Sequence, residues 1–310
     1  MVGPEAPSGE QFRLAHGDQE VVVTEVGATL RSYIVAGVPV LDGFASAEVC
    51  PDGRGQLLLP WPNRLGDGRY RFGGRQYELP IDEPGFRNAI HGLTRWAEWE
   101  AELRSATWLG MRHRLHGHPG YPFNLELEAT FELDEAGLTV CVSAANVGAT
   151  PAPFGAGAHP YLQVGTPLID TCRLQVPAST RLLTDARLLP IGRAPVDGDG
   201  FDFRVSRPIG DTRLDTAYTD IVRGPDGLAR VSLEAPDDRH LTLWFDEAHR
   251  WVQLYSGDTH PRLEERRRSL AVEPMTCPPD AFRSGEDLIV LEPGQTVTVS
   301  WGIDVTGFRA

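Results

Sequence analysis

The stretch LELEATFEL, residues 125–133, carries the reading of the fold. Leu125, Leu127, Ala129, Phe131 and Leu133 occupy alternate positions, and Glu126, Glu128, Thr130 and Glu132 fill those between. A period of two places one residue set on a core and the other in water, the signature of a half-buried strand; a helix would repeat every 3.6 residues. The next segment, GLTVCVSAANVG, alternates again through Leu138, Val140, Val142 and Ala144. The polar run Asp134–Gly137 between them reads as a hairpin turn. Further out, Leu241–Phe245, Trp251–Tyr255 and Thr296–Ile303 repeat the pattern and are expected as half-buried antiparallel strands. Long amphipathic stretches are scarce, and 33 glycines and 25 prolines interrupt the chain at short intervals, as many strands joined by turns require. With no internal repeat, low-complexity tract or dividing linker, the expectation is all-β: one large antiparallel β-sandwich domain over residues 1–310. The first ten residues, polar and rich in Pro and Gly, are expected to be a loose N-terminus.

Composition narrows the function. Lys and Arg total 29 against 43 Asp and Glu, a formal charge of −14. Such a surface repels nucleic-acid phosphates and anionic membrane, so a neutral small molecule is the expected partner. No apolar run approaches the roughly 20 residues that span a bilayer. The segment MVGPEAPSGEQF lacks the basic and apolar regions of a signal peptide. Cys50, Cys141, Cys172 and Cys277 lie far apart with no CxxC pair. Reduced thiols and a cytoplasmic location are the corresponding expectations.

Four segments place reactive side chains beside residues that fix backbone shape. In LLLPWPNRLGDGRYRFGGRQYELP (57–80), an apolar run ends at Pro60-Trp61-Pro62, followed by Asn63 and Arg64 and a turn through Gly66 and Gly68 into a hairpin. In NAIHGLTRW (88–96), His91 directly precedes Gly92. In PAPFGAGAHPYLQVG (151–165), glycines permit close backbone approach, and Pro160 biases His159 towards an extended conformation. In LAVEPMTCPPDAF (270–282), Glu273 closes an apolar run ahead of a proline-stiffened loop. Taken singly, Arg64 reads equally as a surface arginine and the two histidines as structural. Glu273 is either a capped structural carboxylate or one with a raised pKa suited to base catalysis.

In combination and order, the Asn-Arg, His-Gly, Gly-Ala-His-Pro-Tyr and Glu-Pro-Met motifs resemble those of the aldose 1-epimerases, or galactose mutarotases, over essentially the whole chain. The resemblance implies a galactose mutarotase-like supersandwich and cofactor-free, metal-free interconversion of the α and β anomers of a free aldose. It makes His159 the general acid and Glu273 the general base. Asn63, Arg64, His91, Tyr161, Asp215 in RLDTAYTD and Gln253 in WVQLYSG become the sugar contacts. A pocket containing Glu273, Asp215 and backbone carbonyls is expected to keep His159 charged. The assembly is expected to be a monomer or homodimer.

Other signals are set aside. His113, His116 and His118 in RHRLHGHPG lack the further ligands of a tetrahedral metal site. EERRRSL (264–270) reads as an exposed loop of mixed charge. Trp61, Trp96, Trp99 and Trp251 serve a core more naturally than a sugar face, and Cys277 reads as a packed thiol. Two alternatives stay near: a hexose-6-phosphate 1-epimerase, for which Arg31, Arg87, Arg95 and Arg181 are the available cations, and a non-catalytic sugar-binding protein. A glycoside hydrolase would need two carboxyl groups flanking one bond, whereas the motifs pair a histidine with a glutamate.

Overall fold

The computed structural model describes residues 6–309. The hairpin forms as its pattern dictates: Leu125–Leu133 pairs antiparallel with Gly137–Asn146, with Leu133 opposite Leu138. The Asp134 carboxylate closes the turn by accepting the Ala136 and Gly137 N–H groups at 2.8 and 3.1 Å. All five odd-numbered side chains of LELEATFEL are buried. Each large one contributes roughly 1.5–3 kcal/mol of burial.

This hairpin sits inside a nine-stranded antiparallel sheet. Its order is Glu100–Arg104, Trp108–Leu115, Leu125–Leu133, Gly137–Asn146, Thr296–Thr306, His240–Phe245, Ala229–Glu234, Arg173–Gln175 and Arg207–Pro208. The second large sheet, of eight strands, runs Pro190–Pro195, Ala178–Thr184, Asp215–Ile221, Trp251–Tyr255, Leu270–Met275, Gly157–Ala158 and Leu57–Leu58, with Tyr161–Leu162 also paired to Leu270–Met275. One continuous cluster of buried side chains joins the two, taking Leu127, Phe131 and Ile303 from the first and Tyr218, Val252, Leu254 and Val272 from the second. The architecture is therefore the expected antiparallel β-sandwich. Its α-helix is a single turn, Ala281–Ser284, among the described residues. No helix described is long and apolar enough to cross a membrane.

Three local expectations are corrected. Trp251–Tyr255 is not half-buried: Trp251, Val252, Gln253 and Leu254 are all covered. Its even positions face the main core, while Trp251 joins Leu182, Ala217 and Met275 in a smaller cluster on the opposite face. The EERRRSL segment is not a free loop, because ion pairs draw it onto the body. Arg268 pairs with Asp42 at 2.9 Å, and Glu265 with the buried Arg54 at 2.9 Å. Ser269 is itself buried, its hydroxyl donating to Asp42 at 2.9 Å. Of the expected loose terminus, residues 1–5 lie outside the described residues, but Ser8 is buried and its carbonyl accepts the Val26 N–H at 3.0 Å. That stretch does not extend to Ser8.

Trp61, Trp99 and Trp251 are buried and Trp96 is exposed. The four cysteines are free, with Cys50, Cys172 and Cys277 buried and Cys141 partly so.

Candidate active site

Strand register brings distant motifs into one row. Ala217 lies opposite Gln253, and Gln253 opposite Glu273, so the three share one face of the eight-stranded sheet. In the next row, Asp215 lies opposite Tyr255 and Tyr255 opposite Ala271. The Gln253 amide donates to the Asp215 carboxylate at 2.7 Å. That face points away from the main core, which the alternate residues Val252, Leu254 and Val272 enter.

The HPY motif runs antiparallel along the other edge of the Glu273 strand. Gly157 pairs with Met275 and Tyr161 with Ala271, which puts His159 level with Glu273. The His159 backbone is held from its far side: its N–H donates to the Gln56 carbonyl at 3.0 Å, and its carbonyl accepts the Gly55 N–H at 2.9 Å. Gly53 packs close by: its φ is +76°, and a Cβ there would stand a tight 3.3 Å from the imidazole Cδ2. The outcome is contact between His159 Nε2 and Glu273 Oε1 at 3.3 Å, with the residues only 5% and 2% exposed. Glu273 Oε2 has no hydrogen-bond partner among the described residues, an open acceptor in a buried place.

Burial sets the proton state of this pair. Desolvation pulls the His159 imidazole from its ordinary 6.5 to about 3, with the positive charges of Arg95, Arg64 and Arg54 adding to the effect. Desolvation also pushes the Glu273 carboxyl well above its usual range, helped by the negative Asp215 and opposed by Arg64. The expectation that surrounding carboxylates keep His159 charged is therefore overturned: loss of water outweighs them. Both shifts favour the neutral pair, with its proton on Glu273, over imidazolium and carboxylate.

Asn63 and His91 are built as a reciprocal unit. Both adopt left-handed backbone, with φ of 56° and 62°. The His91 N–H donates to the Asn63 carbonyl at 2.9 Å, and the Asn63 N–H donates to His91 Nδ1 at 3.2 Å. Gly92 allows this turn, for its φ is +76° and a Cβ there would fall 2.0 Å from the Leu59 carbonyl. Because Nδ1 accepts a hydrogen bond, the proton of the neutral ring resides on Nε2. Burial keeps His91 neutral, holding its pKa well below 6.5, with the charges of Arg95 and Arg64 acting in the same direction. Its ring lies 5.1 Å from that of His159, edge to face. His91 is thus a fixed, uncharged donor.

His91, His159 and Glu273 place ligand atoms within 4.8 Å of one another, a spacing compatible with a metal ion. The donor set does not suit a cation. Nε2 of His91 already bears hydrogen while Nδ1 accepts from Asn63, so ligation would require an imidazolate. Among the described residues His113, His116 and His118 form no such group.

Arg64 begins the strand Arg64–Gly66, and the short helix anchors it: the Asp280 N–H donates to the Arg64 carbonyl at 2.7 Å, and the Asp280 carboxylate accepts the Gly66 N–H at 2.9 Å. Asn63, Arg64, Asp215, Ala217 and Gln253 line a narrow crevice, joined to the pair through Gln253, which lies opposite Glu273. Tyr161 sits elsewhere than expected. Its ring stacks on His159 at 5.0 Å and 12°, the Arg54 guanidinium lies 5.4 Å from the ring centroid, and its hydroxyl turns to the Asp52 carbonyl at 3.4 Å. It reaches the site through His159.

The structure adds residues that the motifs did not name. Glu83 grips Arg64 through three contacts of 2.8–3.1 Å. Tyr255, half-buried beside Asp215, was available from alternation, being two residues beyond Gln253 on the same face. For Glu83, in the loop IDEPGFRN, no local signal exists.

With this geometry in hand, the comparisons are specific. The aldose 1-epimerase family model matches residues 10–303. An uncharacterised Escherichia coli K12 protein, YihR, is 34% identical over 290 residues, covering 93% of this chain and 91% of its own. Rat galactose mutarotase is 29% identical over 223 residues, 64% of this chain and 63% of the rat protein. The crystal structure of galactose 1-epimerase from Lactobacillus acidophilus superposes with a TM-score of 0.80 at 22% identity, covering 96% of this chain and 95% of that one. At that identity the superposition speaks for the fold alone.

Proposed function

The chain belongs to the aldose 1-epimerase family, and we propose that it interconverts the α and β anomers of a free, unphosphorylated aldose, with His159 and Glu273 as its acid and base. One observation carries this reading: a buried imidazole and a buried carboxyl touch at 3.3 Å, beside a crevice of hydroxyl-binding groups. Ring opening removes the proton of the anomeric hydroxyl and delivers another to the ring oxygen. Both oxygens are bonded to the same carbon, so an acid and a base in mutual contact can serve them together. The sugar therefore presents its anomeric edge to the pair and does not lie between the two side chains.

The reactive tautomer is imidazolium with carboxylate. The open acceptor Glu273 Oε2 meets the anomeric O–H, and that hydrogen bond favours the carboxylate and transfer of the pair's proton to His159. Glu273 then takes the hydroxyl proton, His159 protonates the ring oxygen, and the C1–O5 bond breaks. Rotation about C1–C2 and the reverse transfers close the other anomer. Each transfer is worth on the order of 10²- to 10⁴-fold. Arg64 and the Nε2–H of His91 stabilise charge developing on oxygen. Asn63, Asp215 and Gln253 hold the remaining hydroxyls.

The cations considered for a 6-phosphate are engaged elsewhere. Arg95 pairs with Asp82 at 3.0 Å, Arg181 with Asp199 at 2.8 Å and Arg87 with Asp67 at 3.3 Å, while Arg31 donates to the Phe44 carbonyl at 2.9 Å. This favours the unphosphorylated sugar. The test is polarimetry of freshly dissolved α-glucose, α-galactose, α-xylose and glucose 6-phosphate with and without protein. Acceleration of at least one free aldose above its spontaneous rate is expected, with glucose 6-phosphate slower than glucose. No acceleration of any of them removes the proposal.

A further inference from the structure

The Arg64 guanidinium has five N–H donors in a rigid fork. Its Nε–H reaches both oxygens of Glu83 at 2.9 and 3.1 Å, and one Nη2–H reaches Oε1 at 2.8 Å. The other Nη2 hydrogen and both on Nη1 find no acceptor among the described residues, on a side chain that lines the crevice with Asp215 and Gln253. Glu83 is held in turn. Asn88, itself fully buried, donates to Glu83 Oε2 at 2.9 Å and to the Arg187 carbonyl at 3.1 Å, and the Glu83 and Asn88 backbones bond each other in both directions at 3.0 and 3.2 Å. Arg187 continues the chain to Asp67 at 3.1 Å. The Phe86 ring, from the same loop, lies 5.7 Å from the guanidinium.

We infer that Glu83 is a positioning residue for the reaction: by a two-point grip on one edge of the Arg64 guanidinium, it aims the opposite edge at the sugar oxygens. A lone arginine on a short strand samples many rotamers, and a bidentate carboxylate leaves one. The Glu83 carboxylate is partly buried and its oxygens already accept from Arg64 and Asn88, so Glu83 holds Arg64 without competing for sugar hydroxyls. The inference rests on the mutarotase reading of this cleft.

The experiment is a double-mutant cycle read by polarimetry on α-glucose, with wild type, Glu83→Ala, Arg64→Ala and the double variant. Glu83→Ala is expected to lower kcat/KM by on the order of 10- to 100-fold. Most of this should fall on kcat, because misaimed donors fail the transition state more than the ground state. In the Arg64→Ala background the same change should cost less than about twofold, since a residue acting only through Arg64 has nothing left to position. Glu83→Gln, which keeps one acceptor, should recover part of the loss. Equal cost in both backgrounds, or no cost in wild type, overturns the inference. A second readout is independent of turnover. The Arg64 Nε–H resonance, assigned by its loss in Arg64→Ala, should be shifted and slowly exchanging in wild type and lost in Glu83→Ala. Its persistence in Glu83→Ala overturns the inference. If wild type accelerates no aldose, the mutarotase reading falls, and this resonance alone decides whether Glu83 holds the guanidinium.

Discussion

Replacing Glu273 by Gln separates what the residue does for the fold from what it does for the chemistry. Glu273 is 2% exposed, contacts His159 at 3.3 Å and leaves Oε2 without a partner. Burial raises its pKa well above 4.5 and lowers that of His159 to about 3, so burial favours the neutral pair, with one proton on Glu273, over imidazolium and carboxylate. In the unfolded chain the two groups together hold two protons below pH 4.5, one between about 4.5 and 6.5, and none above. Stability changes with pH by about 1 kcal/mol per unit for each proton by which the unfolded state exceeds the folded one. For wild type this pair contributes no slope from about pH 4.5 to 6.5. Above 6.5 it contributes a loss of about 1 kcal/mol per unit, because the unfolded state then holds one proton fewer, until pH reaches the folded value of Glu273. In Glu273→Gln the folded site holds none. Its contribution rises by about 1 kcal/mol per unit up to 6.5 and is flat beyond. All other groups cancel in the difference between the two proteins. The variant should therefore gain on wild type by about 1 kcal/mol for each pH unit above 6.5, up to the pH at which folded Glu273 gives up its proton, read as a rise in its Tm relative to wild type. Its turnover should fall by on the order of 10²- to 10⁴-fold, since an amide cannot accept the hydroxyl proton. Calorimetry over pH 5–9 with polarimetry at each pH tests both. Parallel stability curves would refute the claim that burial keeps the carboxyl protonated, and a wild-type rate would refute its role as base.

His159→Asn should lower turnover by a similar factor, on the order of 10²- to 10⁴-fold, with the fold intact by circular dichroism. Because the folded imidazole titrates near 3, wild type loses stability from His159 as pH falls below 6.5, and calorimetry at pH 5 should find that loss absent from the variant. Gly92→Ala places a Cβ 2.0 Å from the Leu59 carbonyl at a φ of +76°, so thermal melts should reveal destabilisation of about 1–3 kcal/mol or more, with turnover reduced through displaced His91. Dialysis against a chelator should leave the rate unchanged, because the His91 tautomer disfavours ligation; a rate lost and then restored by zinc would contradict this.

The fold was legible wherever one face of a strand meets water. LELEATFEL and its partner announce themselves because Glu126, Glu128 and Glu132 are polar for the reason that Leu127 and Phe131 are not. Trp251–Tyr255 misled because its second face is covered by the small Leu182–Ala217–Trp251–Met275 cluster, so burial there no longer alternates. For the candidate site, the motifs name residues but not their contacts. His159, Glu273, Gln253, Asp215, Asn63, Arg64 and His91 do converge, but only register places His159 level with Glu273. The grip of Glu83 on Arg64 comes from a loop whose shape no local pattern encodes. The charge state of His159 was misjudged because neighbouring carboxylates can be counted in a sequence, whereas desolvation cannot.

That misjudgement bears on mechanism. In the proposed reaction, opening the sugar ring converts imidazolium and carboxylate into imidazole and carboxylic acid, with no proton gained from or lost to solvent. The product tautomer is the one that burial favours in the free protein. Desolvation of the pair therefore acts on both halves of ring opening: it raises the cost of forming imidazolium and carboxylate from the neutral pair, and returns that cost as the C1–O5 bond breaks. Aldoses prefer the closed ring, so a site that interconverts anomers must offset this preference transiently without holding the open form. A buried pair with one shared proton ends ring opening in the tautomer it started from, so no charge is left in the site to hold the open form. Closure on either face of the carbonyl restores the charged tautomer, and release of the sugar lets the proton return to Glu273. On this account, mutations that admit water to His159 should raise the pKa of its imidazole and shift the pair towards imidazolium and carboxylate, which an NMR titration of the ring would detect.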